Sequence, residues 1–286
     1  MFRRIQLTLG FHSSRQLQAW LLSGGILACF SLFSLRFLPL NRGLCALHSG
    51  YGSGGDRALP GECLYFLKTR ITRLGIATHL YCIVPAGVLA SLQFVPALRR
   101  GQQARVHHAV GYASLVLGLL GSVAALPVIR HAFGGGLAAQ SSTGMLLVMF
   151  VVAQVMGWFS IRQKSVRHHR IWMLRSWVYA STIITMRVIM IVASISISIL
   201  GGYYLAMPCE KIAYILRSRD ETLRWYPECA LYFTGEDPAH RAVVDADVAG
   251  MNAVQLVAAF NLTYGMSAWL GLFFHVFGLE IYIEAN

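Results

Sequence analysis

Long apolar runs divide this chain, each close to or above the roughly 20 residues a helix needs to cross a hydrocarbon core. The first runs from Gln18 to Leu40 and is interrupted by Arg36, whose long side chain reaches the interface. The others are Gly75 to Leu98, His108 to Ile129, Gly144 to Ile161, Trp172 to Met207 and Met251 to Ile283. Backbone polar groups find no water inside a bilayer, so runs of this length predict helices. The expected fold class is all-α, a polytopic transmembrane helical bundle of six spans. The count rises to seven or eight if the long fifth run breaks near Gly201-Gly202 and the long last run also divides.

Composition agrees. The chain is 56% hydrophobic and 13% charged with a mean hydropathy of +0.56, against about a quarter charged residues in a soluble domain. We read 1–286 as a single integral membrane domain with two long extramembrane loops, 41–74 and 208–250. The second loop is too short to carry much core. Met1-Phe2-Arg3-Arg4 precedes a run long enough to span, with no A-x-A-like site after it, so the start reads as a signal anchor. The net charge of +12 would suggest nucleic acid in a soluble protein. Here no nucleic-acid motif is present, and the basic residues flank apolar runs. They fit topology and attraction to anionic headgroups, which makes membrane lipids the partner and excludes nucleic acid.

Short loops orient such a chain. Arg99, Arg100 and Arg105 share a side with Arg162, Lys164, Arg167 and Arg170, and with N-terminal Arg3, Arg4 and Arg15. That side is expected to be cytosolic, in the endoplasmic reticulum or another endomembrane. The two long loops then face the lumen or exterior, and they hold Cys45, Cys63, Cys209 and Cys229, on the side where disulfides persist. Spacing leaves their connectivity open. Cys29 and Cys82 lie in spans as packing residues. The glycine-rich stretches Gly50–Gly55 and Gly134–Gly136 are not followed by Gly-Lys-Ser/Thr and match no phosphate loop.

Ionisable groups at membrane depth are costly and usually functional. His79 opens the second span on the lumenal side, and Gln93 lies toward its cytosolic end. His107, His169, His275 and Glu280 all map to the cytosolic end and form the strongest constellation. His275 and Glu280 are five residues apart, so they approach one pocket from adjacent angles rather than stacking. Arg187 falls inside the fifth span, where its charge needs a partner. Against this stands a plainer reading, in which interfacial histidines beside arginines contact headgroups. Trp20, Trp158, Trp172 and Tyr282 then form an aromatic belt.

His79, Gln93-Phe94, Leu98-Arg99, His107, Gly111, the glycine-rich turn and His169-Arg170-x-Trp172-Met173-x-Arg175 with Arg187 resemble the membrane family called domain of unknown function 2306. The likeness covers roughly residues 75–200, and the His-Arg-x-Trp-Met-x-Arg string is its most specific element. The tail Asn261-x-Thr-Tyr-Gly-Met-x-x-Trp, with His275 and Glu280, is similar to fungal members. This chain departs from the family in having His107-His108 where His-Arg is common, and Tyr112 where an arginine often follows the glycine. Some fungal proteins of this kind resemble integral membrane terpene cyclases of ascofuranone-type meroterpenoid pathways.

That resemblance implies an acid-initiated cyclisation of a prenyl or epoxyprenyl chain, with a lipophilic prenylated small molecule as partner. Such chemistry needs an acid, a dry pocket whose aromatic faces stabilise a cation, and a base. Glu280 is the expected acid, kept protonated by burial, with Asp247 and Asp245 as alternatives. His169 or His275 is the expected base. His79, Gln93, His107, Arg170, Trp172, Arg175, Arg187 and Asn261 are the expected substrate-binding residues, and Tyr179, Phe260, Tyr264, Trp269 and Phe273 are candidates to line the pocket. No metal site and no cofactor are expected on this reading. The alternative is a haem- or quinone-binding electron-transfer protein, with haem b held by histidines from separate helices, because no helix carries two histidines 13–14 apart. A small transporter is a third class, weakened by the lack of an inverted repeat.

Overall fold

The computed structural model describes residues 6–11, 13–38, 44, 45 and 57–285. Arg3, Arg4 and the glycine-rich stretch 50–55 lie outside the described residues. Helical backbone runs unbroken from Ser14 to Phe37, as α1 (Ser14–Trp20), a π turn (Leu21–Gly25), α2 (Ile26–Ser34) and a 3-10 turn (Leu35–Phe37). The Ser13 side chain caps its start by accepting from Gln16 N. After α3 (Glu62–Lys68) come the helices that are long and apolar enough to cross a membrane. They are α4 (Arg70–Gln93), α5 (Ala104–Ile129), α6 (Leu137–Arg162), α7 (Val166–Leu200) and α11 (Ala253–Glu284). The bundle is the all-α polytopic fold expected. The first run enters it as the 14–37 helix, pinned where the Trp20 indole donates to the Ser91 carbonyl of α4 at 3.2 Å.

The fifth run is one helix. It stops at Gly201 and Gly202, whose φ values of 68° and 78° carry the chain out of the α region. The chain then continues as a strand from Tyr204, and the last run is a single helix, so neither run yields a second span. Burial in these spans is inverted relative to a soluble protein. Val188, Val192, Phe273, Phe274 and Ile281 are exposed, while Ala86, Ala90, Ala153, Ser176, Ser194, Ala259 and Ser267 are buried. Lipid solvates the large apolar groups, and small residues let helices approach. Helix α7 packs against both α6 and α11 and forms the spine of the molecule.

One pole gathers the basic short loops. There Ala97 N donates to Leu9 O at 3.1 Å, tying the N-terminal segment to the α4–α5 connection. The other pole carries the two disulfides, Cys45–Cys63 and Cys209–Cys229. Each closes within one of the two long loops, which settles the connectivity that spacing left open.

The 208–250 segment corrects an expectation, because it has a core. Strands β1 (Tyr204–Pro208) and β2 (Arg241–Asp245) pair antiparallel around α8 (Cys209–Leu216), α9 (Arg219–Trp225) and α10 (Ala230–Thr234). Met207, Ile212, Ala242 and Val244 are buried together with Val254, Val257 and Ala258 from the first turns of α11. The segment thus borrows its core from a membrane helix, which a count of its own residues misses.

Candidate functional site

The expected site residues do not form one site: Gln93, His107, His169, Arg170, Arg175 and Glu280 gather at the basic pole, while Arg187 and Asn261 lie deeper and Asp247 lies at the disulfide pole. At the basic pole, Arg175 donates two hydrogen bonds to Glu280, Nε to Oε1 at 2.8 Å and Nη2 to Oε2 at 2.6 Å. The Arg175 guanidinium also lies 4.6 Å from the Trp172 ring centroid. The Glu280 side chain keeps 38% of its exposure. The premise of an isolated, buried carboxylic acid is therefore corrected, since Glu280 is a paired carboxylate joining α7 to α11. His275 is likewise committed. Its Nδ1 donates to Val178 O at 2.7 Å, and Nε2 lies 2.7 Å from Thr185 Oγ1, so neither nitrogen is open to act as a base.

Asp247 is corrected too. It sits at the disulfide pole, where its Oδ1 accepts from Ala249 N at 2.9 Å in a tight turn before α11. Helix α11 alone separates it from Glu280's end by about 40 Å. Asp245 ends β2 on the same pole.

His79 and His169 share one device. His79 Nδ1 lies 2.8 Å from Gly121 O, and His169 Nδ1 lies 2.8 Å from Gly157 O. A carbonyl only accepts, so Nδ1 carries the proton and Nε2 keeps a lone pair in the neutral ring. In both cases a glycine on the neighbouring helix admits the close approach. A Cβ on Gly121 would meet Cys82 Cβ at 3.3 Å, and one on Gly157 would meet Trp172 Cβ at 3.5 Å. The two histidines lie in different halves of the bundle, His79 on α4 toward the disulfide pole and His169 at the start of α7.

A second polar group lies inside the bundle, toward the disulfide pole. Arg187 of α7 is about 18 Å along the helix from Arg175. Among the described residues it has no ion pair, and its guanidinium sits 5.0 Å from the Phe30 ring centroid. Tyr264 of α11 is buried and feels the Arg187 charge. The Thr143 side chain, which donates to Ala139 O at 2.7 Å, lies near its hydroxyl. Phe133 stacks on Tyr264 at 4.0 Å with rings 9° from parallel. Asn261, one turn from Tyr264, has both amide atoms buried with no hydrogen-bond partner. The α6 residue Gln154 is in the same condition. Native proteins rarely leave such groups unsatisfied, and they mark places where water or a ligand belongs.

Sequence reasoning singled out Arg187 and Asn261 but not what holds them. Phe133 has a left-handed backbone, φ 50° and ψ 48°, and its N–H donates to Glu62 Oε2 at 2.9 Å. Glu62 Oε1 accepts from Lys211 Nζ at 2.9 Å, and both side chains are almost fully buried, at 2% and 1% exposure. This ion pair fastens the 57–69 loop to the 204–250 cap and clamps the α5–α6 turn over Tyr264. Nearby, the His131 ring stacks on Tyr65 at 5.1 Å. Burial, and then the charges of Arg130 and Lys68, lower the His131 pKa.

A bundle of this kind, capped at one pole and with a half-buried cation and unsatisfied amides between its helices, defines a multi-pass integral membrane protein with an intramembrane polar site. Residues 76–207 match the family described as predicted membrane protein DUF2306, the family to which the His-Arg-x-Trp-Met-x-Arg string pointed. The chain is also 26% identical to "Ava biosynthesis cluster protein G" of Aspergillus versicolor, over 325 aligned positions that cover 97% of this chain and 90% of that protein. No solved structure matches.

Proposed function

We propose that this chain is an integral membrane enzyme of a secondary-metabolite pathway that cyclises the prenyl or epoxyprenyl chain of a lipophilic, meroterpenoid-type intermediate. Support for a pathway role comes from the likeness to a biosynthesis cluster protein. The observation that carries the site is Arg187, a half-buried cation at membrane depth with no carboxylate partner among the described residues, beside buried Tyr264 and the unpartnered Asn261 amide. The reacting end is assigned to this group, between the bundle's centre and the disulfide pole, and not to Glu280. A prenyl tail partitions into lipid and reaches such a site from between the helices.

In this reading Tyr264 gives its proton to the epoxide oxygen as the carbon–oxygen bond breaks. Arg187 and the Asn261 NH2 stabilise the negative charge that develops. The carbocation is captured by the chain's own double bond or ring, with Phe133 and Phe30 offering aromatic faces. The proton lost at the end returns to the Tyr264 oxygen, so substrate and product are isomers and no cofactor enters. The test is expression in a host lacking the pathway, fed with epoxyprenylated phenols, with products resolved by mass and retention. An isomer of unchanged mass, lost in Tyr264→Phe and Arg187→Gln at equal protein level, is the expected result. No isomer from any fed precursor, or full turnover in both variants, overturns the reading.

One observation favours the haem alternative, namely the free Nε2 lone pairs of His79 and His169. A Soret band in purified protein, lost in His79→Gln, would establish it.

A further inference from the structure

The basic pole holds a second arrangement that the cyclase reading does not use. Arg99 ends the 3-10 turn Pro96–Arg99, and its Nε donates to Gln93 O at 3.1 Å. That bond fixes the guanidinium plane and leaves both terminal NH2 groups to point elsewhere. Arg170 arrives from α7, and its charge opposes that of Arg99. Burial and then this repulsion lower the Arg99 pKa. Neither arginine forms an ion pair among the described residues. Of the acidic residues only Glu280 and Glu284 fall at this end; Glu280 is bound to Arg175, and Glu284 is exposed and in no ion pair among the described residues.

Two histidines complete the group. With its amide oriented to satisfy both ends, Gln93 donates Nε2 to His107 Nδ1 at 2.9 Å and to His107 O at 3.2 Å, and accepts from Gly111 N at 3.3 Å. A ring nitrogen that accepts carries no proton, so neutral His107 holds its proton on Nε2 and presents a donor. His169 is oriented by the Gly157 carbonyl and lies within electrostatic reach of His107. Arg99 after α4, His107 of α5 and Arg170 of α7 thus lie within electrostatic reach of one another, and none of them forms an ion pair with a carboxylate among the described residues. Like charges brought together in a partly dry place cost free energy unless an anion joins them. A mere topology signal needs only exposed charge, as at Arg167 and Lys164; Arg99 and His107, half-buried and oriented by hydrogen bonds, are something more.

We propose that Arg99, His107 and Arg170, with His169 joining as a donor only when protonated, form a phosphate-binding site at the basic pole that takes a phosphate monoester or diphosphate group. The bearer is either a phospholipid headgroup or a small phosphorylated molecule, and the recognition chemistry is the same. This inference stands apart from the cyclase reading and survives its failure. The test uses the full chain in neutral detergent, titrated with inorganic diphosphate in one arm and with phosphatidic acid in mixed micelles in the other. We expect at least one probe to bind the wild type. That binding should weaken at least tenfold in Arg99→Gln and Arg170→Gln and less than twofold in Arg167→Gln. Binding of diphosphate with this pattern assigns a small phosphorylated ligand; binding of phosphatidic acid alone with this pattern assigns a lipid headgroup. Arg170 is exposed, so its variant carries the test if Arg99→Gln fails to fold. Binding of neither probe, or equal weakening in Arg167→Gln, overturns the proposal, because a diffuse positive field would then account for it.

Discussion

Arg175 and Glu280 close a two-point ion pair between α7 and α11 at the basic pole, 105 residues apart in sequence. Fork-to-fork geometry of this kind fixes both helices in register. Because Glu280 is more than a third exposed, its contribution is discounted to about 1 kcal/mol. Glu280→Gln and Arg175→Gln should each lower the unfolding temperature in detergent slightly, and the double variant should lose less than the two losses added. A double-mutant cycle on thermal unfolding measures this. In the same Glu280→Gln protein, product formation should persist at more than a tenth of the wild-type rate.

Arg187 should behave in the opposite way. A cation held at membrane depth without a carboxylate costs stability, so replacing it by an apolar side chain of similar length removes that cost. Arg187→Met is therefore expected to unfold at the same or a higher temperature than wild type while losing product. Fluorescence-monitored melting paired with product analysis gives both readings. Loss of stability together with activity would make Arg187 a packing residue.

The spans were legible because lipid demands apolar length, and length survives without any knowledge of partners. The pole assignment of Arg99, Arg162 and Arg167 was legible for the same reason. The site was not. His275 looks free in sequence, yet it spends both nitrogens on Thr185 and Val178 of a helix about 90 positions away. His79 and His169 are satisfied by glycine carbonyls on neighbouring helices, which no spacing within one helix reveals. Glu62 and Lys211 read as ordinary loop charges, and only the close approach of the two disulfide-bearing loops buries them. One signal was available: Ala242 and Val244 alternate with exposed Arg241 and Val243, the period of a half-buried strand.

The Glu62–Lys211 pair supports a prediction with an internal control. Removing one member of a buried pair strands the other charge, at a cost of about 3–5 kcal/mol. Lys211→Met alone should therefore destabilise the cap more than Lys211→Met combined with Glu62→Gln, because the second change removes the orphaned charge while keeping an acceptor for Phe133 N. Limited proteolysis of the 204–250 segment, with melting temperature, ranks the two. A double variant less stable than Lys211→Met would show that the pair acts through something other than mutual neutralisation.

His131 gives the disulfide pole a pH dependence whose sign is fixed. Burial, Arg130 and Lys68 depress its pKa in the folded state, while Glu62 pulls weakly the other way. The unfolded chain, with an ordinary histidine pKa of about 6.5, then binds the proton first as the pH falls. Stability is full above that value and declines as the pH drops from about 6.5 through the lower folded-state pKa, below which both states are protonated and the loss levels off. The neutral ring also stacks on Tyr65, whose own pKa is raised by burial and then by Glu210 and Glu62, so Tyr65 stays uncharged throughout this window. His131→Gln should flatten the melting temperature between pH 7 and pH 5 relative to wild type. An unchanged slope in that variant would place the acid sensitivity elsewhere.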